Sequence, residues 1–247
     1  MPLPPPPDPA AVPAALAGGC PVCGGRDFGH KVVLWPALSQ AWEIEGDALA
    51  WINRQQGFHC KGCRNNLRMM ALADAFLRHV GGGPTLEAWC TPDRGVRVLE
   101  INAAGFLGRA LAGLPGHRLV EYPAFDMMAL AIEDGAYDVV LHSDTLEHVP
   151  DPVRGLAECR RVLRPGGACL FTVPLVPGRL TRSREGLPPS YHGREAPVAE
   201  DQLVRTEFGS DAWEYAMAAG YARLEIRAFE YPGALVFVAY RDEGGGR

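Results

Sequence analysis

The sequence predicts an α/β fold with a mostly parallel sheet, a C-terminal antiparallel hairpin and a small cysteine-rich module in front. Between residues 95 and 175, apolar strand-like runs alternate with helical patterns, as expected of βαβ units in a parallel sheet. Further on, two strand-like runs are separated only by Tyr231-Pro232-Gly233, a turn short enough to force antiparallel pairing. Two CxxC pairs earlier in the chain predict a metal-binding module there.

Composition narrows the classes of function before any motif is considered. The 247 residues are 47% hydrophobic, which is ample for a buried core, and no apolar stretch approaches the roughly 18 residues of a membrane-spanning helix. The Pro-rich start lacks a signal-peptide pattern, so we expect a cytoplasmic protein without a membrane partner. The formal charge of −5 argues against a protein whose main partner is a nucleic-acid backbone.

Composition also divides the chain into three regions. Residues 1–19 are rich in proline and lack aromatic side chains, which predicts a flexible, partly extended tail. Residues 20–90 are expected to form a zinc-ribbon module that ends in a connecting helix over residues 66–79. Residues 91–243 are expected to form the α/β domain, with an insertion at 174–209.

The two CxxC pairs, Cys20/Cys23 and Cys60/Cys63, carry the clearest chemical signal. Each pair presents two thiolates to one tetrahedral zinc ion, and four sulfurs close its coordination shell, so this zinc is expected to be structural. A redox role is disfavoured because neither pair sits where a strand runs into a helix of a βαβ unit. The other cysteines stand alone, which suits a reducing compartment: Cys90, Cys159 and Cys169.

Local signals place the elements of the α/β domain in order. Asp151 followed by Pro152 is an N-cap with proline at the first helical position, and Arg164-Pro165-Gly166-Gly167 ends that helix. An earlier helix is predicted over residues 105–114. The predicted strands cover residues 96–101, 118–122, 137–142, 168–173, 223–229 and 234–240.

Three motifs follow one another in this domain. Residues 98–108, VLEINAAGFLG, form a strand, a loop of small residues that lets the backbone approach a ligand, and the start of a helix. Residues 146–152 read LEHVPDP, and residues 161–167 read RVLRPGG. The succession resembles the class I S-adenosylmethionine-dependent methyltransferases of the subgroup with these two motifs. The resemblance implies a Rossmann-like seven-stranded sheet, S-adenosylmethionine as cofactor and methyl transfer as the reaction.

The resemblance departs from the family at the loop after the first strand. The family usually has glycines where this chain has Asn102, Ala104 and Phe106. Either Gly105 or Gly108 is then expected to supply the permissive backbone, while asparagine tolerates a positive φ better than most residues. The segment at residues 60–68 in turn resembles a zinc-ribbon knuckle that feeds the helix in front of the core in a bacterial group of methyltransferases.

The resemblance also implies roles for individual residues. Glu100 matches the acid at the end of the first strand, Glu121 the acid that holds the ribose, and Asp126 the acid that accepts from the adenine amino group. The end of the fourth strand lines the cofactor near its sulfonium, mainly through backbone atoms. The implied cofactor-binding set is Glu100, Asn102, Ala104, Gly105, Glu121, Asp126, His142 and Ser143.

The insertion at 174–209 is expected to cover the methyl acceptor, because it follows a strand whose carboxyl end faces the ligand crevice. Tyr191 and His192 are expected to face the methyl group, with His192 as proton acceptor because imidazole titrates near neutrality. His148 and His142 are the competing candidates: His148 lies in the capping turn and is expected to be structural, whereas His142 ends a strand near the expected position of the sulfonium. The acceptor is expected to be an oxygen or nitrogen of a small polar or glycan-like molecule.

Three alternatives stay open. Asp144, Glu147 and His148 have the spacing of one helical face and resemble a divalent-metal site of some O-methyltransferases, although Asp-x-x-Glu is also a capping box. The zinc ribbon could grip RNA in an rRNA or tRNA methyltransferase, which the acidic composition disfavours. The altered glycine loop would also fit a non-catalytic binding or scaffold protein, a reading that cofactor binding would exclude.

Overall fold

The computed structural model describes residues 3–191 and 200–243 of the chain. In its first part, strand β1 (Phe28–Gly29) pairs antiparallel with β2 (His59–Cys60), and two helices lie between them along the chain. No helix within the two described ranges is long and apolar enough to cross a membrane. The helices of this part are α1 (Pro36–Ala41), α2 (Gly46–Gly57), α3 (Leu67–His79) and α4 (Leu86–Trp89).

The rest of the described chain is organised around one six-stranded sheet. Three helices accompany it: α5 (Gly108–Leu111), α6 (Pro152–Val162) and α7 (Trp213–Ala218). A separate two-stranded ribbon joins β7 (Arg182–Ser183) to β8 (Thr206–Glu207). The strands of the main sheet are β3 (Val98–Ile101), β4 (His117–Val120), β5 (Tyr137–Ser143), β6 (Leu163–Thr172), β9 (Arg223–Glu230) and β10 (Ala234–Tyr240).

The strand order of the main sheet is β4-β3-β5-β6-β10-β9. β3 pairs in parallel with both β4 and β5, and β5 pairs in parallel with β6. β10 pairs antiparallel with β6 and with β9, so the hairpin predicted from its short turn is present. The predicted Rossmann-like α/β fold with a C-terminal antiparallel hairpin is therefore confirmed.

The strand count differs from the seven that the family resemblance implies. After β4 the chain passes through turns over residues 121–136 and then enters β5, so β4 is the edge of the sheet. A parallel crossover alone needs a dozen or more residues, and a third strand here would need two crossovers in addition to itself. Residues 121–136 are too few for that, and the described sheet has six strands.

Each face of the sheet packs against its own hydrophobic core. One core joins Val139 and Leu141 of β5 to the apolar side of α3. The other core joins the alternate side chain Val140 to Leu156 and Val162 of α6. This alternation is the period of two that a strand imposes, and it produces a three-layer α/β/α arrangement.

Helix α3 is the helix predicted at residues 66–79, and it belongs to the sheet rather than to a separate module. Asn66 is its N-cap and accepts a hydrogen bond from the amide of Met69 at 3.0 Å. Ten of its thirteen residues are buried, as expected of a helix covered on more than one side. The hydrophobic core around α3 also contains Cys20 and Cys60. The cysteine-rich part and the α/β part therefore share one core, and their packing is continuous across residue 90.

The proline-rich start is docked onto the protein, in contrast to the flexible tail expected for residues 1–19. The carbonyl of Pro4 accepts from the indole Nε1 of Trp51 at 2.9 Å, and Leu16 is 2% exposed. The guanidinium of Arg54 donates to the carbonyls of Asp8, Pro9 and Ala11. Proline-rich backbone carries free carbonyls, and a buried arginine from α2 satisfies them here.

Arg54 is expected to contribute measurably to the free energy of unfolding. Its side chain is 2% exposed and forms a bidentate pair with Glu230 of β9 at 2.6 and 2.7 Å. Removing one partner of a buried pair leaves the other charge uncompensated, so Arg54→Met is expected to lower the free energy of unfolding by about 3 kcal/mol. Urea denaturation measures this loss, and Arg78→Met, which removes an exposed pair with Asp74, is the control at about 0.5 kcal/mol. A loss below about 1 kcal/mol for Arg54→Met would contradict this assignment.

Candidate functional site

The carboxyl ends of β3, β4 and β5 meet at one edge of the sheet, where ligands bind in open α/β folds. Two residues at this edge have a left-handed backbone: Asn102, with φ of 52°, follows β3, and Asp144, with φ of 50°, follows β5. Non-glycine residues in this region cost free energy and concentrate at functional sites. The strained pair therefore marks the centre of the candidate site.

The buried carboxylate of Glu100 anchors the loop after β3 through a hydrogen bond. This carboxylate is fully buried and accepts from the amide of Ala104 at 2.9 Å, while the Nε2 atom of His117 lies 2.8 Å from it. Gly105 has a φ of 59°, and a Cβ there would lie 2.8 Å from the Cγ atom of Met69. Gly105 is thus the glycine that the loop requires, and Glu100 fixes the loop by accepting from the amide of Ala104.

The Asn102 side chain ties the loop to the neighbouring strand end. Its Oδ1 atom accepts from the amide of Tyr122 at 3.1 Å, next to the exposed Glu121. Asp126 is half-buried, and its Oδ1 accepts from the amide of Met128 at 2.8 Å. Asn102 and Glu121 thus lie at the neighbouring ends of β3 and β4, and Asp126 follows in the turns after β4.

The start of α3 reaches the same crevice, which the sequence analysis did not foresee. The Oδ1 atom of Asn65 accepts from the amide of Phe106 at 3.0 Å. One turn later, the guanidinium of Arg68 pairs with Asp144 at 2.7 Å. Nothing local in the sequence connects residue 68 with residue 144; the one available signal was that Arg68 opens the helix directly after a CxxC pair.

His142 requires a correction, because its ring faces away from the crevice. The side chain is fully buried and stacks on Phe171 with ring centroids 5.1 Å apart. Its ring nitrogens lie near the sulfurs of Cys159 and Cys169, in the core that α6 covers. Strand alternation directs side chain 142 to this face, so His142 cannot take a proton in the crevice, and only its backbone borders it.

The remaining residues assigned from the sequence have different positions. Ser143 is buried, and its hydroxyl shares a 2.7 Å hydrogen bond with Thr172. Tyr191 is half-buried and forms an isolated antiparallel bridge with Leu203. His192, the first choice as proton acceptor, lies outside the described residues.

A cavity of about 330 Å³ opens beside Asp144. Most of its wall comes from the region between the two CxxC pairs, including Trp35 and Trp42, and Gln202 and Val176 of the insertion contribute to the other side. The insertion is fixed there by Glu207, a fully buried carboxylate that pairs with three arginines. The arginines are Arg179, Arg182 and Arg184.

His148 lines this cavity together with Asp144. Its Nδ1 atom lies 3.1 Å from the carbonyl oxygen of Leu203, which can only accept, so Nδ1 carries the proton. The basic nitrogen is then Nε2, which lies 3.8 Å from Oε1 of Glu147. Burial lowers the pKa of His148, which favours the neutral ring near pH 7. Burial also raises the pKa of Glu147, and the nearby Asp144 adds to the shift.

The divalent-metal alternative for Asp144, Glu147 and His148 gains no support. Within the described residues, the groups whose ligand atoms converge are the four paired cysteines and a His142, Cys159 and Cys169 group. Asp144 is instead paired with the guanidinium of Arg68, which already supplies a cation to this carboxylate.

The four cysteines predicted to bind zinc do converge. Their sulfurs lie within 4.8 Å of one another, with Cys20 and Cys63 3.6 Å apart and Cys23 and Cys60 3.7 Å apart. Tetrahedral bonds of about 2.3 Å would place sulfurs about 3.8 Å apart, so the cluster has the size of a zinc shell. A Cβ on Gly25 would lie 3.3 Å from two of these sulfurs, which explains a glycine there.

Part of the chain is similar to known methyltransferases. A family model described as a methyltransferase domain matches residues 79–171. An uncharacterized methyltransferase of Mycobacterium avium is 31% identical over 157 residues, which are 59% of this chain and 59% of that protein. A ubiquinone biosynthesis O-methyltransferase of Burkholderia thailandensis is 30% identical over 158 residues, 61% of this chain and 65% of that protein. The chain thus spans less than two thirds of the length of these relatives.

Solved structures resemble the chain only distantly. A 1,6-didemethyltoxoflavin-N1-methyltransferase of Burkholderia thailandensis, solved with S-adenosylhomocysteine, is 20% identical and has a TM-score of 0.40, over 70% of this chain and 78% of that one. Similarity at this level supports no inference about ligands. The family model, in contrast, covers the strands β3 to β5 and all but the last residue of β6. Residues 79–171 of the chain are similar to a methyltransferase domain.

Proposed function

We propose that this protein is an S-adenosylmethionine-dependent methyltransferase whose cofactor lies across the ends of β3, β4 and β5. The observation that carries the proposal is the pair of left-handed residues, Asn102 and Asp144, at adjacent strand ends within the region similar to a methyltransferase domain. Strain of this kind is tolerated where the backbone must present a ligand site.

The residues at this edge fit the cofactor. Glu100 holds the loop in place through Ala104, and Asn102 and Gly105 shape the turn over which the cofactor lies. Asp126 accepts from the adenine amino group, and Glu121 holds the ribose hydroxyls. Residues 142–143 border the sulfonium through their backbone. When bound, S-adenosylmethionine supplies an electrophilic methyl group, so the protein chiefly orients the acceptor and takes up a proton.

The methyl acceptor is a small molecule that enters the cavity beside Asp144. The finer assignment is an oxygen or nitrogen of a polar or glycan-like molecule that has one apolar face. Trp35 and Trp42 are among the apolar residues that line the cavity and suit such a face, whereas Asp144 and Gln56 offer hydrogen bonds to its polar groups.

Of the two histidines that competed with His192, His148 is the one that lines the cavity, and this proposal assigns it as the proton acceptor. It lies at the cavity wall, and its hydrogen bond to the Leu203 carbonyl fixes the tautomer in which Nε2 is basic. A neutral imidazole in this tautomer can take a proton from a hydroxyl or amine as the methyl group transfers.

One structural zinc ion completes the proposal, bound by Cys20, Cys23, Cys60 and Cys63. The size of the cysteine cluster supports it, and the shell leaves no position for substrate. The zinc fixes both ends of the region that carries the cavity wall, since that region runs from one CxxC pair to the other.

Cofactor binding tests the central claim. Isothermal calorimetry should detect binding of S-adenosylhomocysteine, and Asp126→Ala should weaken it about tenfold by removing an acceptor for the adenine amino group. Asp126→Asn keeps a carbonyl acceptor and should bind more tightly than the alanine variant. Asp93→Ala, at an exposed position outside the crevice, is the control. A wild-type protein without affinity for the ligand would favour the scaffold alternative.

The zinc assignment is tested by metal analysis of protein purified without chelator. One zinc per chain is expected, and Cys60→Ala should lose it and unfold the cysteine-rich part, because a structural zinc supplies folding free energy. Cys90→Ala removes a buried cysteine outside the cluster and should retain the metal. Wild-type protein free of zinc would refute the assignment.

The pKa of His148 gives a test that needs no acceptor. Ring resonances followed by NMR, and assigned by their loss in His148→Gln, should titrate below the ordinary value of about 6.5. Because the folded state binds this proton less readily than the unfolded chain, His148 should destabilise the fold as pH falls through about 6.5. His148→Gln should lack that component of the pH dependence. A pKa at or above the ordinary value would argue against the neutral base.

A further inference from the structure

We infer that Arg68 binds the carboxylate of the methionine half of the cofactor. The inference rests on the proposed function and deepens it, since it assigns part of the cofactor site to the helix that follows the cysteine cluster. Arg68 does not belong to the loop and strand ends that the family resemblance implies.

Two nitrogens of the Arg68 guanidinium have no acceptor among the described residues. The side chain is 3% exposed, and Asp144 is bound through Nη2 alone. Nε and Nη1 are buried and have no hydrogen-bond partner among the described residues. A buried donor of a charged group is costly when it lacks an acceptor, and both Nε and Nη1 can donate a charge-assisted hydrogen bond to a carboxylate oxygen.

Asn65 lies at the same end of α3. It is 1% exposed, its Oδ1 atom accepts from the amide of Phe106, and its side-chain amide donates to the Cys63 thiol. Asn65 and Arg68 therefore contact the loop after β3 and the end of β5, the two segments that flank the cofactor crevice, and Arg68 is the one with donors left for a ligand.

The charges at this point match a zwitterion. The methionine half of the cofactor carries a carboxylate and an ammonium group on one carbon. Arg68 provides a cation for the carboxylate, and Asp144, whose side chain is 39% exposed, provides an anion for the ammonium. Because Arg68 and Asp144 are already 2.7 Å apart, a ligand carrying both charges can engage them together.

The test compares two ligands that differ in this half. S-adenosylhomocysteine carries the carboxylate and ammonium, whereas 5′-methylthioadenosine keeps the adenosine and lacks both. Arg68→Met is expected to weaken S-adenosylhomocysteine by about tenfold to a hundredfold in calorimetry, the range for hydrogen bonds to a charged group. The affinity for 5′-methylthioadenosine should stay within about twofold. Arg78→Met, at an exposed position on the same helix, should leave both affinities unchanged.

Two further measurements keep the inference open to refutation. If Arg68→Met does not fold, the wild-type protein should still bind S-adenosylhomocysteine at least about tenfold more tightly than its decarboxylated analogue. Equal affinities there, or an Arg68→Met variant that weakens both adenosine ligands alike or neither, would overturn the inference. A wild-type protein that binds neither adenosine ligand would instead refute the proposed function, and with it this inference, so the two failures are distinguishable.

Discussion

The packing of helix α3 on the sheet is the constraint on which the rest of the structure depends. Its buried side joins the core under β5 and β10, and its first turn follows directly from the second CxxC pair. Through Asn65 and Arg68 the same turn contacts both loops of the crevice. The position of the cysteine cluster, the shape of the loop after β3 and the orientation of Asp144 are therefore set by one helix, and a shift of that helix would change all three.

Sequence signals succeeded where the chemistry is local. The N-cap at Asp151 with Pro152 and the three-residue turn of the hairpin each act within a few residues. Asn102 departs from the glycine expected of the family, yet it adopts the left-handed backbone that the turn needs, as its short polar side chain allows. The spacing of the cysteines likewise predicted a cluster that the fold assembles.

Features that depend on distant contacts could not be predicted. The strand β5 is apolar on both faces, so its sequence does not reveal which way His142 points. The pairing of Arg68 with Asp144 joins residues 76 positions apart, and the docking of the proline-rich start depends on Arg54 in another helix. In each case the position of the residue depends on a contact with a residue far away in the sequence, which the sequence alone does not identify. Seven strands were expected from family resemblance, whereas the length of the chain after β4 permits six.

The absence of a further strand beyond β4 leaves one side of that strand unpaired within the described sheet. Open edges of this kind are templates for strand pairing between molecules, and proteins protect them by keeping them short and charged. β4 has four residues, and Arg118, in its middle, holds its guanidinium 5.0 Å from the ring of Phe125. Desolvating this arginine would accompany any intermolecular pairing at the edge. The shortened crossover therefore leaves the protection of this edge to the shortness of β4 and the charge of Arg118, at a place where larger sheets of this architecture would cover the strand.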